Sequence, residues 1–125
     1  MLLDTNILIY ACQPGGEWLS VWTEDAEAAI ASVSRVEALG FHRITGEEEV
    51  AIRRFITASV SYPLDEEVIE RATALRQQKK MSLADAIIAA TALEYDLPLV
   101  TRNESDFSHI AGLRVINPFA SRAGL

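Results

Sequence analysis

Residues 83–107 read LADAIIAATALEYDLPLVTRNESDF, and the order of patterns in this stretch decides the fold class. With the residue before it, the stretch starts on the capping-box pattern Ser82-Leu83-Ala84-Asp85, which predicts a helix running to about Tyr95. Asp96-Leu97-Pro98 predicts the end of that helix, and the apolar pair Leu99-Val100 then predicts a buried strand. A helix that leads directly into a buried strand is the repeating unit of an α/β domain.

The same alternation of apolar runs and helical patterns extends through the rest of the chain. Further strands are predicted at Met1–Asp4, Ala28–Ser32, Val60–Tyr62 and Leu113–Ile116. A helix or turn is predicted after the first strand, ending at the breaker Gln13-Pro14-Gly15-Gly16. Helices are predicted over Ser34–Gly40, over Gly46–Thr57, and from a cap at Asp65 to about Lys79. Because no repeat or linker interrupts this pattern, residues 1–125 are predicted to form one α/β domain with a mostly parallel sheet.

The composition is that of an ordinary globular protein, with 50 % hydrophobic and 23 % charged residues. Cys12 is the only cysteine, which excludes an internal disulfide and a zinc site built from several cysteines. The apolar N-terminal run has no basic region before it and is interrupted by Asp4 and Asn6, so we do not expect a signal peptide. No apolar stretch reaches the length of a membrane span, and we therefore expect a cytoplasmic protein.

The net charge of −7 limits how the chain could bind a partner that carries phosphate groups. A general basic surface binds nucleic acid by displacing counterions from the phosphates, and this composition does not predict such a surface. The positive charge would have to be local, supplied by a few arginines or by a bound metal ion.

Two acidic residues are predicted to lie at the carboxyl edge of the sheet. Asp4 ends the apolar first strand, and Asp106 lies just beyond the strand Leu99-Val100. In parallel α/β folds, ligands bind at this edge. Each residue also has an ordinary structural explanation, since Asp4 could cap the following helix and Asp106 could be a simple loop residue.

Two further acids are predicted to point inward from helices. Glu37 shares a helical stripe with Val33 and Val36, and Asp85 heads the alanine-rich helix. The structural alternatives are a glutamate that reaches out from the edge of its stripe and an aspartate that bonds back to the cap residue Ser82.

Carboxylates withdrawn from water need protonation, an opposite charge or a metal ion, and several together raise one another's pKa. The basic residues that the sequence places near these four acids are Arg35, Arg102 and Arg114. Oxygen donors without histidine or cysteine suit Mg²⁺ or Mn²⁺. A metal held by carboxylates at the edge of an α/β sheet suits hydrolysis of phosphodiester bonds, because it activates water and neutralises charge on the phosphate.

Other site chemistries fit the sequence less well. His42 and His109 occupy unrelated polar stretches, so no serine–histidine arrangement is predicted, and glycine-rich phosphate loops are absent from the sequence. A haloacid-dehalogenase-type enzyme would need a second acid where the chain has Asn6. A receiver-like phosphoacceptor domain would need a lysine where the chain has Thr101-Arg102. A non-catalytic interaction module on the same fold stays open as the alternative to an enzyme.

These motifs resemble those of the PIN-domain ribonucleases, most closely the VapC-type toxins of bacterial and archaeal toxin–antitoxin pairs. The matching stretches are LLDTNILIY at the start, SRVEAL around Glu37, LADAIIAATALEYDLPLVTRNESDF, and the closing VINP. The resemblance covers the whole chain. It implies a PIN-like, three-layer α/β/α sandwich with a mostly parallel central sheet, formed by one domain over residues 1–125.

The resemblance also implies an activity and the residues that perform it. Asp4, Glu37, Asp85 and Asp106 correspond to the acidic quartet that is catalytic and binds Mg²⁺ or Mn²⁺. The family implies an endoribonuclease that forms a homodimer and is kept inactive by a cognate antitoxin, whose C-terminal segment lies over the active site. RNA is the implied substrate.

Five more residues are candidates for supporting roles at this site. Asn6, Thr101 and Asn103 resemble the polar residues that orient the carboxylates or touch the phosphate. Arg35 and Arg102 are the arginines expected to hold RNA, with a surface or ion-paired arginine as the alternative. The segment between residues 18 and 33 is acidic and shorter than the family pattern, which leaves the choice of RNA and antitoxin open.

Overall fold

The computed structural model describes residues 1–123. Within these residues the chain folds around a sheet of five strands that all run in the same direction. The strands are β1 (Leu2–Leu3), β2 (Ala29–Ala31), β3 (Val60–Tyr62), β4 (Leu99–Val100) and β5 (Val115–Ile116). Their order across the sheet is β3-β2-β1-β4-β5, which places β1 at the centre. The predicted parallel sheet is confirmed.

Seven α-helices connect these strands within the described residues. They are α1 (Thr5–Ala11), α2 (Ser20–Thr23), α3 (Ser32–Leu39), α4 (Gly46–Ala58), α5 (Glu66–Gln78), α6 (Leu83–Glu94) and α7 (Pro118–Ala123). Single 3-10 turns at Glu17–Leu19 and Glu104–Asp106 complete the connections. No helix in residues 1–123 has the length and apolar character that crossing a membrane requires.

Different helices cover the two faces of the sheet. Leu2 and Leu99 pack on one face against the buried residues of α5 and α6. Their chain neighbours Leu3 and Val100 pack on the other face, against residues of α1, α4 and α7. This alternation follows from the strand geometry, in which successive side chains point to opposite faces. The three-layer α/β/α sandwich is therefore confirmed.

Helix α6 lies with most of its length inside the protein. All residues from Ala86 to Ala92 are buried, and the small alanine side chains let α6 approach α5 and the sheet closely. Its first turn is capped as predicted, because the Oγ of Ser82 accepts a hydrogen bond from the backbone N–H of Asp85 at 3.1 Å. Just beyond its end, Asp96 has a φ of +51°, a left-handed conformation that aspartate tolerates better than most residues.

The structure corrects several predicted boundaries. Asp4 lies beyond β1 as the cap of α1, and Ser32 begins α3 instead of ending β2. Pro118 is the first residue of α7, a position where its missing N–H costs nothing. The short helix α2 was not predicted at all.

Candidate active site

Asp4 lies at the carboxyl end of the central strand β1. Here the sheet order reverses, since β2 flanks β1 on one side and β4 on the other, and such a switch point leaves a crevice for a ligand. The Oδ1 of Asp4 accepts a hydrogen bond from the backbone N–H of Thr5 at 2.8 Å, which caps α1. Its Oδ2 accepts a hydrogen bond from the hydroxyl of Thr101, across the sheet in the loop after β4, at 2.7 Å. The helix cap therefore occupies only one of the two carboxylate oxygens.

The environment of Asp4 disfavours its negative charge. The residue is only 4 % exposed. Burial, and then the nearby charges of Asp85 and Glu37, raise the pKa of Asp4 to about 6, although the hydrogen bonds from Thr101 and Thr5 oppose this rise. Among the side chains of residues 1–120, no arginine or lysine forms an ion pair with Asp4. A buried carboxylate among like charges, without a basic partner, is well suited to bind a cation.

Glu37 is connected to Asp4 through the next residue of the chain. The hydroxyl of Thr5 lies 2.6 Å from the Oε1 of Glu37 and 2.8 Å from the Oγ of Ser34. Because a carboxylate only accepts, the single proton of Thr5 goes to Glu37, and Ser34 can donate its own proton to Thr5. The prediction that Glu37 points inward with the valines is wrong, since Glu37 is exposed, Val36 is 72 % exposed, and of these residues only Val33 packs against the core.

Asp85 and Asp106 complete the acidic edge. Asp85 lies half-buried in the first turn of α6, and Asp106 ends the 3-10 turn after β4 with its side chain exposed. Burial, followed by the charges of Asp106 and Glu37, raises the pKa of Asp85, while a hydrogen bond with Ser82 opposes the rise. The capping role considered for Asp85 is therefore present, and it coexists with a position among the other acids.

The four acids share one electrostatic environment at the carboxyl edge of the sheet. The charges of Asp85 and Glu37 act on Asp4, and those of Asp106 and Glu37 act on Asp85. Within the described part of the chain, however, no three Asp, Glu, His or Cys side chains form a ready-made metal cage. The fit to Mg²⁺ or Mn²⁺ lies in the donors, which are all hard oxygen atoms, and in the uncompensated charge of Asp4.

The polar residues predicted around the acids differ in the hydrogen bonds that they form. The buried hydroxyl of Thr101 donates to Asp4 and accepts a hydrogen bond from the backbone N–H of Asn103 at 3.0 Å. Asn103 is half-buried and takes part through this backbone group. Asn6 is exposed at the start of α1, and its side chain makes no hydrogen bond within residues 1–123.

The arginines are arranged differently from the prediction. The guanidinium carbon of Arg102 lies 4.5 Å from the ring centre of Phe119 and 5.5 Å from that of Tyr10, so aromatic rings hold it by cation–π interactions. Arg35 is exposed on α3. The expectation that Arg114 lies near the acids is wrong, because Arg114 precedes β5 and binds Asp96 at the opposite edge of the sheet.

Sequence reasoning missed five residues at or beside this site. Thr5 and Ser34 hold Glu37, and their positions one residue after Asp4 and three residues before Glu37 were a readable signal. The others lie with Asp85 and Asp106 around one cleft and are Lys79, Lys80 and His109. Their neighbourhood depends on how α5, α6 and the loop after β4 pack together, which the sequence pattern did not indicate.

Comparison with known proteins identifies the family of this chain. The PIN domain family matches residues 1–113. The chain belongs to the PIN domain family. Among curated protein sequences, none matches this PIN domain.

Several solved structures are similar to this PIN domain. A chain of a toxin–antitoxin complex from Klebsiella pneumoniae is 34 % identical to it, with a TM-score of 0.73, and the match covers 94 % of this chain and 96 % of that one. FitAcB from Neisseria gonorrhoeae is 25 % identical, with a TM-score of 0.71 and coverage of 94 % and 97 %. VapBC2 from Rickettsia felis, bound to a DNA fragment from its promoter, is 21 % identical, with a TM-score of 0.77 and coverage of 93 % and 96 %, and supports the fold alone. The resemblance to the PIN-domain proteins is confirmed, and the similarity to a chain of a toxin–antitoxin complex agrees with it.

Proposed function

We propose that this PIN domain is a metal-dependent endoribonuclease and the toxin of a type II toxin–antitoxin pair. PIN domains are generally nucleases, and the similarity to a toxin–antitoxin complex supports the assignment as a toxin nuclease. The choice of RNA as substrate and of Mg²⁺ or Mn²⁺ as cofactor is part of the proposal.

One observation carries this proposal. Asp4 is buried at the switch point of a parallel sheet, near the charges of Asp85 and Glu37, and no basic side chain of residues 1–120 is paired with it. A protein that only needed to cap α1 could do so with an uncharged serine or asparagine. A negative charge on Asp4 is explained if the site binds a divalent cation.

The proposed roles follow from the geometry. Asp4, Glu37, Asp85 and Asp106 would hold the ion, and the chemistry that such an ion supplies is activation of water and neutralisation of charge on the phosphate. Thr101 holds one oxygen of Asp4, and Thr5 holds one oxygen of Glu37, so both carboxylates are oriented before any ligand arrives. We assign contacts with the RNA backbone to four nearby polar and basic residues, Asn6, Arg35, Arg102 and Asn103.

The proposal includes the partners and the location of the protein. By similarity to the complex from Klebsiella pneumoniae, we propose that a cognate antitoxin binds this chain. We further propose a single domain over residues 1–125, a homodimer and a cytoplasmic location. Light scattering of the purified chain, alone and with its antitoxin, would test the two assemblies.

The proposed activity has a direct test. The purified chain should cleave single-stranded RNA in Mg²⁺ or Mn²⁺, and a chelator should stop the cleavage. Asp4→Ala should lower the rate at least about a hundredfold, because the ion loses its buried ligand. The matched control is Glu70→Ala, which removes an exposed carboxylate of α5 and should leave the rate unchanged.

The alternatives give different results in the same assay. A non-catalytic interaction module would leave RNA intact under all conditions. A receiver-like domain would also leave RNA intact but would take up phosphate from acetyl phosphate. Cleavage that persists in Asp4→Ala would contradict the assigned site.

A further inference from the structure

Lys79 and Lys80, the only lysines in the sequence, lie together beside the candidate active site. They line a cleft of about 450 Å³ that also contains Asp85 and Asp106. The cleft is therefore continuous with the acidic edge of the sheet. In a chain with a net charge of −7, this is a local concentration of positive charge at the place where a phosphate chain would have to pass.

Neither lysine is engaged by the acids around it. Both side chains are exposed, and within residues 1–123 neither forms an ion pair. Lys79 is the C-cap residue of α5, so a favourable interaction with the helix dipole would explain a positive charge there. The helix dipole does not explain a second lysine at Lys80, nor why both lysines line the cleft. The two ammonium groups stay free to meet a negatively charged ligand.

His109 provides an independent sign of a ligand in the same cleft. Both ring nitrogens of His109 are buried, and neither has a hydrogen-bond partner among the described residues. Buried polar atoms in proteins nearly always have a partner, and a neutral imidazole offers one donor and one acceptor. His109 forms part of the wall that faces Lys79 and Lys80. A rotation of the ring that turns its N–H into the cleft would let this group donate to an acceptor oxygen of a ligand there.

We propose that this cleft binds a phosphate of RNA next to the phosphate that is cleaved. The inference rests on the proposed ribonuclease activity and adds a binding site to it. Lys79 and Lys80 would offset the charge of that phosphate, and an N–H of His109 would donate to one of its oxygens. The subsite would compensate for the acidic residues, which otherwise repel the RNA backbone on both sides of the bound metal.

The test is the binding of a short, fluorescein-labelled single-stranded RNA of mixed sequence, measured by anisotropy over a series of KCl concentrations. All variants carry Asp4→Asn to prevent cleavage, and Mg²⁺ is present. In Lys79→Ala/Lys80→Ala, we expect Kd to rise about tenfold at physiological ionic strength. The slope of log Kd against log salt should fall by about 0.7, since the one phosphate contact that is lost contributes about that much on a single strand.

The matched control removes the same amount of charge at the other edge of the sheet. Arg71 and Arg114 form ion pairs with Glu94 and Asp96 there, so Arg71→Ala/Arg114→Ala has the same net charge as the lysine variant. This control should leave Kd and the salt slope near those of the parent. Equal effects of the two double variants would show a general charge effect and would overturn the subsite.

A second variant tests the histidine. His109→Leu removes the unpaired polar atoms, so the folded chain should be no less stable, yet RNA binding should weaken. His109→Gln keeps a donor and should bind RNA more tightly than His109→Leu. Unchanged binding in His109→Leu would overturn the role of this side chain. If the unmodified chain cleaves RNA while all these variants bind like the parent, the subsite fails and the proposed function stands.

Discussion

The carboxylate of Asp4 is a source of instability in the folded chain. It is held beside other carboxylates and away from water, with hydrogen bonds from two threonine groups but no positive partner among the side chains of residues 1–120. Structural needs alone would favour a neutral residue at this position. At this position, the residue that would make the fold most stable differs from the residue that the proposed site needs.

The pH dependence of stability should reveal this conflict in metal-free protein. The pKa of Asp4 is raised from 3.8 to about 6, so between these values the folded chain binds the proton more strongly than the unfolded chain does. The resulting stability is fully present below the unfolded value and is lost as the pH rises through about 6. The difference corresponds to about 3 kcal/mol. Asp85, whose pKa is also raised, adds a change in the same direction.

Chemical denaturation in the presence of a chelator measures this effect. The parent chain should become less stable between about pH 4 and pH 7, and Asp4→Asn should lose most of that dependence. At pH 7 the variant should be at least as stable as the parent. A lower stability of Asp4→Asn at pH 7 would mean that the charge of Asp4 supports the fold. Asp65, whose pKa is lowered by a hydrogen bond from Tyr95, changes stability only at lower pH.

Helix α6 shows how an element positions the site. Its alanines allow close packing on α5 and on the sheet, and this packing fixes the first turn, where Asp85 lies. Ala89 is fully buried, so Ala89→Leu should overfill the interface and lower the free energy of unfolding by about 1–3 kcal/mol. The matched control is Ala74→Leu, on the exposed face of α5, which should change the free energy of unfolding little. Urea titration of the two variants compares them, and equal stabilities would show that α6 is loosely packed.

The long elements were predictable from sequence because local signals agree with the packing. The capping pattern at Ser82, the cap at Asp65 and the run Gly46–Thr57 each gave a helix within a few residues of its observed bounds. Helix α2 and the turn before it carry no such signal. They form where Trp22 packs against the core and the ring of Trp18 meets Phe119, so tertiary contacts decide their conformation.

At the scale of the whole molecule, the sequence indicated where Asp4 and Asp106 lie but not which residues surround them. Asp4 and Asp106 could be placed because parallel strands end at one edge. The cleft with Lys79, Lys80 and His109 depends on the packing of three separate segments. Arg114 was misplaced for a different reason, since its position just before β5 already puts it at the amino edge of a parallel sheet, away from the acids.

Metal binding should stabilise the assembled molecule. Because the acids come from β1, α3, α6 and the loop after β4, an ion held by them would bind the folded chain and not the unfolded one. A concentration of Mg²⁺ about a hundred times its Kd should add about 2.7 kcal/mol, or about 10 °C in Tm. Thermal unfolding at pH 7 should show this shift in the parent and lose it in Asp85→Asn. A similar shift in both proteins would indicate that the ion binds elsewhere.

The central position of β1 has a consequence for folding during synthesis on the ribosome. Leu2 pairs with Leu99, and the hydrogen bond from Thr101 to Asp4 joins residues 97 positions apart. At a synthesis rate of about 5–20 residues per second, the ribosome needs roughly 5–20 s to add the later partner. Throughout that interval the nascent chain holds its first strand without one of its two neighbours. The acidic edge therefore assembles only after Asp106 has been synthesised, and a chain that stops before this residue lacks one of the four acids.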